Sequence, residues 1–149
     1  MIPEQFRRIP YREGGREFSG ADCYGVVRLW LQHRNVVDLP PFGLVISKRR
    51  SACRDAYLQA ASGFFEVVEP MPDDVICCFN KQGQLDHIGV IVDTTTGLGV
   101  YHSQASQRRP VVTPLNAFRR LFKHTELLRY GDPESLHAQS QQRGRSAAC

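Results

Sequence analysis

The sequence predicts one α+β domain, in which helices near the N-terminus pack on an antiparallel sheet. Apolar residues follow a helical period up to about residue 61, and from Phe64 onward they alternate with the period of strands. A chain of 149 residues with 42% hydrophobic content can bury one core, but it is too short for two ordinary domains. We therefore expect a single domain over residues 1–131.

The first helix is predicted to begin at Cys23. Residues 11–22 are rich in glycine and polar groups and end on Asp22, which is a favourable N-cap. The helix CYGVVRLWLQH then carries one apolar face at the i, i+3, i+4 and i+7 positions, formed by Cys23, Val26, Val27 and Trp30. The sequence therefore places a cysteine at a helix N-terminus that faces the protein body.

A second helix is predicted over about residues 47–61, with Gly63 available to end it. Cys53 lies on its apolar face, so we interpret this cysteine as a core residue. The same segment holds the dense basic patch of a chain with net charge +4, formed by Lys48, Arg49, Arg50 and Arg54. No aromatic residues are interleaved with this patch, which favours a solvated face over a nucleic-acid footprint.

The second half of the chain is predicted to form strands over residues 64–70, 73–80, 86–93 and 98–104, joined as an antiparallel meander. A short strand at Pro110–Pro114, a brief helix at 115–122 and a closing strand at 125–130 follow. Residues 132–149 have almost no apolar content and predict a disordered tail, in which Cys149 has no evident role.

Cysteine usage and hydropathy exclude several classes of protein. Five cysteines, two of them adjacent at Cys77 and Cys78, do not form a disulfide framework, and no CxxC pair supports a structural zinc site. We expect no cofactor. The N-terminus lacks the apolar run of a signal peptide, and no stretch approaches the roughly 20 apolar residues of a membrane span. Synthesis as a cytoplasmic chain is the expectation.

Cys23 is the candidate nucleophile. A cysteine nucleophile needs a lowered thiol pKa, a base within hydrogen-bond reach and a group that orients this base. A helix N-terminus together with an imidazolium can lower a thiol pKa from about 8.5 to about 3.5–7.5. Taken alone, a cysteine on an apolar helix face is more commonly inert, so the assignment of Cys23 as nucleophile depends on the histidines.

Two histidines in the predicted hairpin supply the base and its partner. His87 opens one strand, and His102 lies near the end of the next. If the turn is built on residues 93–96 or 94–97, the two histidines lie on the same face of the sheet, directly opposite or one pair apart. An even-numbered register would separate them. Two histidines on one face beside a helix-start cysteine favour nucleophilic catalysis.

Five short segments together resemble a known family. The segments Tyr11–Gly15 (YREGG), Asp22–Gly25 (DCYG), Pro72–Val75 (PDDV), Asp86–Val90 (DHIGV) and Tyr101–Ser103 (YHS) resemble, in order and spacing, the signature blocks of NlpC-type cell-wall peptidases. The resemblance covers about residues 8–131. Family members typically have Ser where this chain has Tyr24 and Gly where it has Asp73, so local substrate contacts are expected to differ.

The resemblance implies a papain-like fold and a set of roles. Cys23 would be the nucleophile, His87 the general base and acid, and His102 the polar residue that orients His87. Tyr11 would lie near the oxyanion site, with Asp22 beside it; apart from the resemblance, an aromatic residue before a Gly-Gly turn is equally well explained as a packing residue. The implied substrate is the peptidoglycan stem peptide, cleaved between D-glutamate and the diamino acid, and no metal is implied.

The segment Leu39–Gly43 (LPPFG) and the later segment VVTPL are similar to wall hydrolases of bacteriophage tails. Delivery on a virion or release at lysis would explain how a chain without an export signal reaches the cell wall, and the resemblance makes phage tail proteins candidate partners. Three alternatives stay open: a tail-tip structural protein that uses the fold for binding, an acyltransferase or deamidase with the same thiol chemistry, and a weak metal site from Cys23, His87 and His102.

Overall fold

The computed structural model describes residues 2–40 and 63–131. Its helices are α1 (Glu4–Arg7), α2 (Cys23–His33) and α3 (Leu115–Leu121), with a 3-10 turn at Ala105–Gln107. A small hairpin of β1 (Arg16–Glu17) and β2 (Gly20–Ala21) precedes α2. The other strands are β3 (Phe64–Val67), β4 (Val75–Phe79), β5 (Leu85–Thr94), β6 (Gly97–His102), β7 (Val111–Pro114) and β8 (Thr125–Tyr130).

These six strands form one antiparallel sheet in the order β3-β8-β4-β5-β6-β7. The predicted meander is correct for β4 to β6 and wrong for β3, because β8 lies between β3 and β4. The apolar pair in β8 explains the insertion: Leu127 and Leu128 point to opposite faces and are only 4% and 1% exposed. A strand that buries both faces belongs inside a sheet.

The sheet separates two apolar clusters. On one face, α2 packs on β5 and β6, and the first cluster includes Val27, Trp30, Ile88, Val90 and Tyr101. On the other face, α3 covers a smaller cluster with Ile76, Ile91, Val100, Leu115 and Phe118. The prediction of an α+β fold with helices on an antiparallel sheet is therefore confirmed.

The predicted inward face of α2 is also confirmed, since Cys23, Val26, Val27 and Trp30 are all buried. The predicted helix over 47–61, with Cys53 and the basic patch, lies outside the described residues, as does the predicted tail over 132–149 with Cys149. Among the helices that the structure does describe, none is long and apolar enough to cross a membrane.

Candidate active site

Asp22 fastens the preceding loop to the start of α2. One carboxylate oxygen accepts the Gly25 N–H at 2.9 Å, which is the expected N-cap bond. The other accepts the Gly14 N–H at 3.0 Å, and Arg16 donates to Asp22 at 2.6 Å. The Asp22 side chain is 3% exposed, so its contacts are with the protein itself. It fixes where α2, and therefore Cys23, begins.

The loop and the helix approach so closely that only glycine fits at the contact. A Cβ on Gly25 would lie 2.2 Å from the Gly15 carbonyl oxygen and 2.8 Å from the Ala21 Cβ. Glycine two residues after the cysteine is therefore a packing requirement of the loop that holds the helix start.

The thiol of Cys23 lies against β5, at the level of the histidines. Its sulfur accepts a hydrogen bond from the Ile88 N–H. Successive residues of a strand direct their N–H groups to opposite neighbours. Because the Ile91 N–H donates to Asp74 on the β4 side, the Ile88 N–H points toward β6. The paired stretch of β5 and β6 ends at Val90, so the thiol occupies the position that a β6 partner would otherwise take.

His87 and His102 are in direct contact, as their predicted common face requires. The β5–β6 hairpin turns at Thr94–Gly97, and continuing its register places His102 opposite Gly89, one pair from His87. His87 Nε2 and His102 Nδ1 are 2.9 Å apart. Gly89 makes this possible, because a Cβ there would lie 3.1 Å from the His102 Cβ.

His102 has a second polar partner, Thr113, which the sequence did not single out. The other ring nitrogen of His102, Nε2, lies 2.9 Å from the Thr113 Oγ1. Thr113 lies on β7, diagonally across from His102, in a strand where Val111 is the direct partner of His102. Three side chains thus form a hydrogen-bonded row across β5, β6 and β7.

Two phenylalanines at the end of α3 cover the histidines. Phe122 stacks on His87 with ring centroids 5.1 Å apart and an interplanar angle of 21°. Phe118 meets His102 edge-on at 4.9 Å. His87 and His102 are consequently 5% and 1% exposed. The sequence predicted the helix, but the contact between these aromatic rings and the histidines depends on how α3 folds back over the sheet.

The cysteine and the histidines remain separate in this conformation. Within residues 2–40 and 63–131, no hydrogen bond joins Cys23 to His87, and the Nδ1 of His87 forms none with any of these residues. The structure therefore brings the two histidines together under α3, on one face of the sheet, whereas Cys23 belongs to the cluster on the α2 face and its thiol lies against the β5 main chain.

Burial dominates the ionisation of the thiol. It raises the pKa of Cys23 to about 12, and the negative charge of Asp22 acts in the same direction. Two main-chain N–H groups and the Arg16 guanidinium favour the thiolate, but less strongly. The expected lowering of the thiol pKa is wrong for this conformation. A helix terminus contributes about 0.3–1 kcal/mol, less than one pKa unit, whereas full burial shifts a pKa by up to 3–5 units.

Burial also keeps both imidazoles neutral. It lowers the pKa of His87 to about 3, with a further contribution from His102, and it lowers the pKa of His102 to about 4. The site therefore holds a neutral thiol beside two neutral imidazoles at neutral pH. In the described part of the chain, no group of three His, Cys, Asp or Glu side chains is arranged to hold a metal ion.

A solved structure shares this architecture. The NlpC/p60 domain of the peptidoglycan hydrolase SagA matches with a TM-score of 0.53, over 85% of this chain and 90% of that one, at 14% sequence identity. The fold is of the NlpC/p60 type. An N-acetylmuramoyl-L-alanine amidase from Bacteroides uniformis ATCC 8492 matches at a TM-score of 0.35, over 42% of this chain and 29% of that chain, at 20% identity, which is too slight to bear on the fold. No protein-family model and no curated protein matches the sequence.

Asp73, which departs from the family pattern, has a structural role in this NlpC/p60-type fold. It has a φ of 74°, in the left-handed region that favours glycine, the residue typical of the family here. Its carboxylate accepts the Trp30 Nε1–H at 3.0 Å and pairs with Arg34 at 3.2 Å. Asp73 in place of glycine therefore links the segment before β4 to the C-terminal half of α2.

Tyr24, the other departure, supports the loop beside the nucleophile. Its hydroxyl donates to the Pro40 carbonyl at 2.9 Å, and the Arg16 guanidinium lies 4.7 Å from the centre of its ring. Tyr11 begins the segment 11–22 that precedes α2. Its N–H donates to the Arg108 carbonyl, and its backbone forms a bridge with Ala21. Tyr11 is therefore close to the start of α2 along the strand that leads to it.

Proposed function

We propose that the chain is a cysteine peptidase that hydrolyses peptidoglycan stem peptides. Cys23 is the nucleophile, His87 the general base and acid, and His102 the residue that orients His87. The fold supports the proposal, because the solved NlpC/p60 domain that shares it belongs to a protein described as a peptidoglycan hydrolase. At 14% identity this likeness establishes the fold alone, so the activity rests on the side chains.

The observation that carries the proposal is the 2.9 Å contact between His87 Nε2 and His102 Nδ1, beside the strand that receives the Cys23 thiol. In a catalytic triad, one ring nitrogen of the histidine base is hydrogen-bonded to a polar partner, and the other accepts the proton of the nucleophile. The other nitrogen, His87 Nδ1, is then the proposed proton acceptor. Two buried imidazoles in contact need such a reason, since burying polar groups is costly.

The proposed reaction assigns one role to each of these residues. The thiol proton passes to His87 Nδ1 while Sγ attacks the scissile carbonyl carbon, which gives a tetrahedral oxyanion. The carbon–nitrogen bond breaks, and His87 returns the proton to the leaving amine, so that an acyl group remains on Cys23. His87 then takes a proton from water, the hydroxide attacks the thioester, and the carboxylic acid product leaves with Cys23 restored as a thiol.

Because the Cys23 thiol and the His87 imidazole are both neutral at rest, the proton moves at a different point in the reaction than in a site with a preformed ion pair. In an ion pair formed in advance, the thiolate exists before substrate binds; here burial disfavours both charges. Proton transfer therefore accompanies attack, and substrate binding has to bring the thiol within hydrogen-bond reach of His87 Nδ1. By family resemblance, Tyr11 lies near the oxyanion and the cleaved bond joins D-glutamate to the diamino acid; delivery on a phage tail stays a prediction.

The deciding experiment is incubation of the full chain with muropeptides of defined structure, followed by mass spectrometry of the products. Wild type should release a fragment with a new amino terminus, and Cys23→Ala should release none while keeping its melting temperature. The variants Cys53→Ala and Cys149→Ala are the matched cysteine controls and should remain active.

The products also separate the alternatives. A transferase would attach a second amine in place of water, and a deamidase would raise the mass by one unit without cleaving the peptide. A binding protein would retain intact muropeptide. Near-normal turnover by Cys23→Ala would refute the nucleophile assignment.

A further inference from the structure

We propose that Thr113 is a positioning residue of this site, whose hydroxyl holds His102 in the tautomer that can accept a hydrogen bond from His87. The inference rests on the proposed function, because it concerns how the base is oriented. It extends the site beyond the cysteine and two histidines to a fourth side chain on the edge strand β7.

The contact geometry places Thr113 where it can select a tautomer. His102 has one hydrogen-bond partner at each ring nitrogen, His87 at Nδ1 and Thr113 at Nε2, both at 2.9 Å. A neutral imidazole carries one N–H and one lone pair. Both partners can donate or accept, so the contacts fit either tautomer of His102, and the Thr113 hydroxyl can accept an N–H that lies on Nε2.

The reaction requires one of the two arrangements. Once His87 has taken the thiol proton at Nδ1, it carries N–H on both nitrogens, and its Nε2–H needs an acceptor. Among residues 2–40 and 63–131, the lone pair on His102 Nδ1 is the acceptor within its reach, so the proton of His102 must be on Nε2. That N–H then donates to the Thr113 hydroxyl oxygen. In the opposite tautomer, two N–H groups would face each other at 2.9 Å.

Water is poorly placed to replace the hydroxyl. His102 is 1% exposed, and Phe118 packs edge-on against it at 4.9 Å. An unsatisfied buried N–H is costly. Without the Thr113 hydroxyl, the His102 proton would lose its acceptor on Nε2 and the Nδ1–H tautomer would gain population. The register makes Thr113 a diagonal neighbour of His102 on the same face, because Val111 is its direct partner.

The test compares Thr113→Val with Thr113→Ser in the full chain. Valine keeps the volume and suits a strand, but it removes the hydroxyl; serine keeps the hydroxyl. The first readout is the tautomer of His102, measured by ¹⁵N NMR of histidine-labelled protein without substrate. The second is kcat and KM on muropeptides. Thr125→Val, a threonine on β8 two strands away from β5, is the matched control.

Wild type, Thr113→Ser and Thr125→Val should all show the Nε2–H form of His102, and Thr113→Val should show the Nδ1–H form in substantial amount. We expect kcat of Thr113→Val to fall about tenfold, the size of one lost hydrogen bond, with KM changed by less than about twofold. Thr113→Ser should stay within about threefold of wild type.

An unchanged His102 tautomer in Thr113→Val would overturn the inference whatever the activity. Equal impairment of Thr113→Ser and Thr113→Val would do the same, since the hydroxyl would then be irrelevant. Failure of the proposed function looks different: wild type would cleave no muropeptide, while the NMR comparison would still show whether Thr113 sets the tautomer.

Discussion

Acidification from about pH 7 to about pH 5 should destabilise the protein through His87 and His102. Burial lowers their pKa to about 3 and about 4 in the folded state, against an ordinary value of 6.5. The unfolded chain therefore binds protons as the pH falls through about 6.5, while the folded protein does not. Their stabilising contribution is present above about pH 6.5 and is lost as the pH falls toward the folded pKa values.

The size of the effect follows from the same shifts. Each pKa unit corresponds to 1.36 kcal/mol, so between about pH 7 and about pH 5 each histidine removes about 2 kcal/mol from the free energy of unfolding. Both together remove about 4 kcal/mol, a large part of the roughly 5–15 kcal/mol that stabilises a typical domain. Most of the loss occurs below about pH 6.5, before carboxylates near their ordinary pKa take up protons.

Urea denaturation at both pH values measures this loss directly. The matched variants are His87→Gln with His102→Gln, which removes both buried imidazoles, and His33→Gln with His124→Gln, which removes two exposed ones. The first double variant should lose most of the difference between the two pH values, and the second should keep it. An equal pH dependence in both double variants would contradict the reasoning, because the buried pair would then not be the source.

Two further predictions concern how the site is held. Asp22→Asn removes the carboxylate charge from a pair whose side chains are 3% and 10% exposed, while Arg16 keeps its contacts with the Gly15 carbonyl and the Tyr24 ring, so the free energy of unfolding should fall by about 3–5 kcal/mol in urea. Glu4→Gln, which breaks a pair whose side chains are 70% and 72% exposed, should cost about 1 kcal/mol or less, and equal losses would contradict the prediction. Gly89→Ala places a Cβ 3.1 Å from that of His102, so it should lower both the melting temperature and kcat. A Gly89→Ala variant with the wild-type melting temperature and kcat would show that β5 accommodates the added methyl group without displacing His102.

The sequence alone predicted the fold class and most element boundaries, because hydrophobic period and turn residues are local properties. The helix start at Cys23 could be predicted since Asp22 and the apolar face after it are adjacent in the chain. The sequence predicted that His87 and His102 share a face of the sheet only on condition that the hairpin turn lies at residues 93–96 or 94–97. The Thr94–Gly97 turn, where Thr94 donates to the Gly97 carbonyl at 2.6 Å and Gly97 has a φ of 119°, decided between the two favourable registers.

Tertiary structure decided what local patterns could not contain. The insertion of β8 between β3 and β4 depends on pairing between residues about 50 to 65 positions apart in the chain, and strand period carries no information about such neighbours. The ionisation of Cys23 depends on how much protein surrounds it, so a helix-terminus argument gave the wrong direction for its pKa. Thr113 and Phe122 reach the histidines only because β7 and α3 fold back over the sheet. The sequence thus determined which side chains could do chemistry, and the packing of distant segments determined their contacts, their burial and their protons.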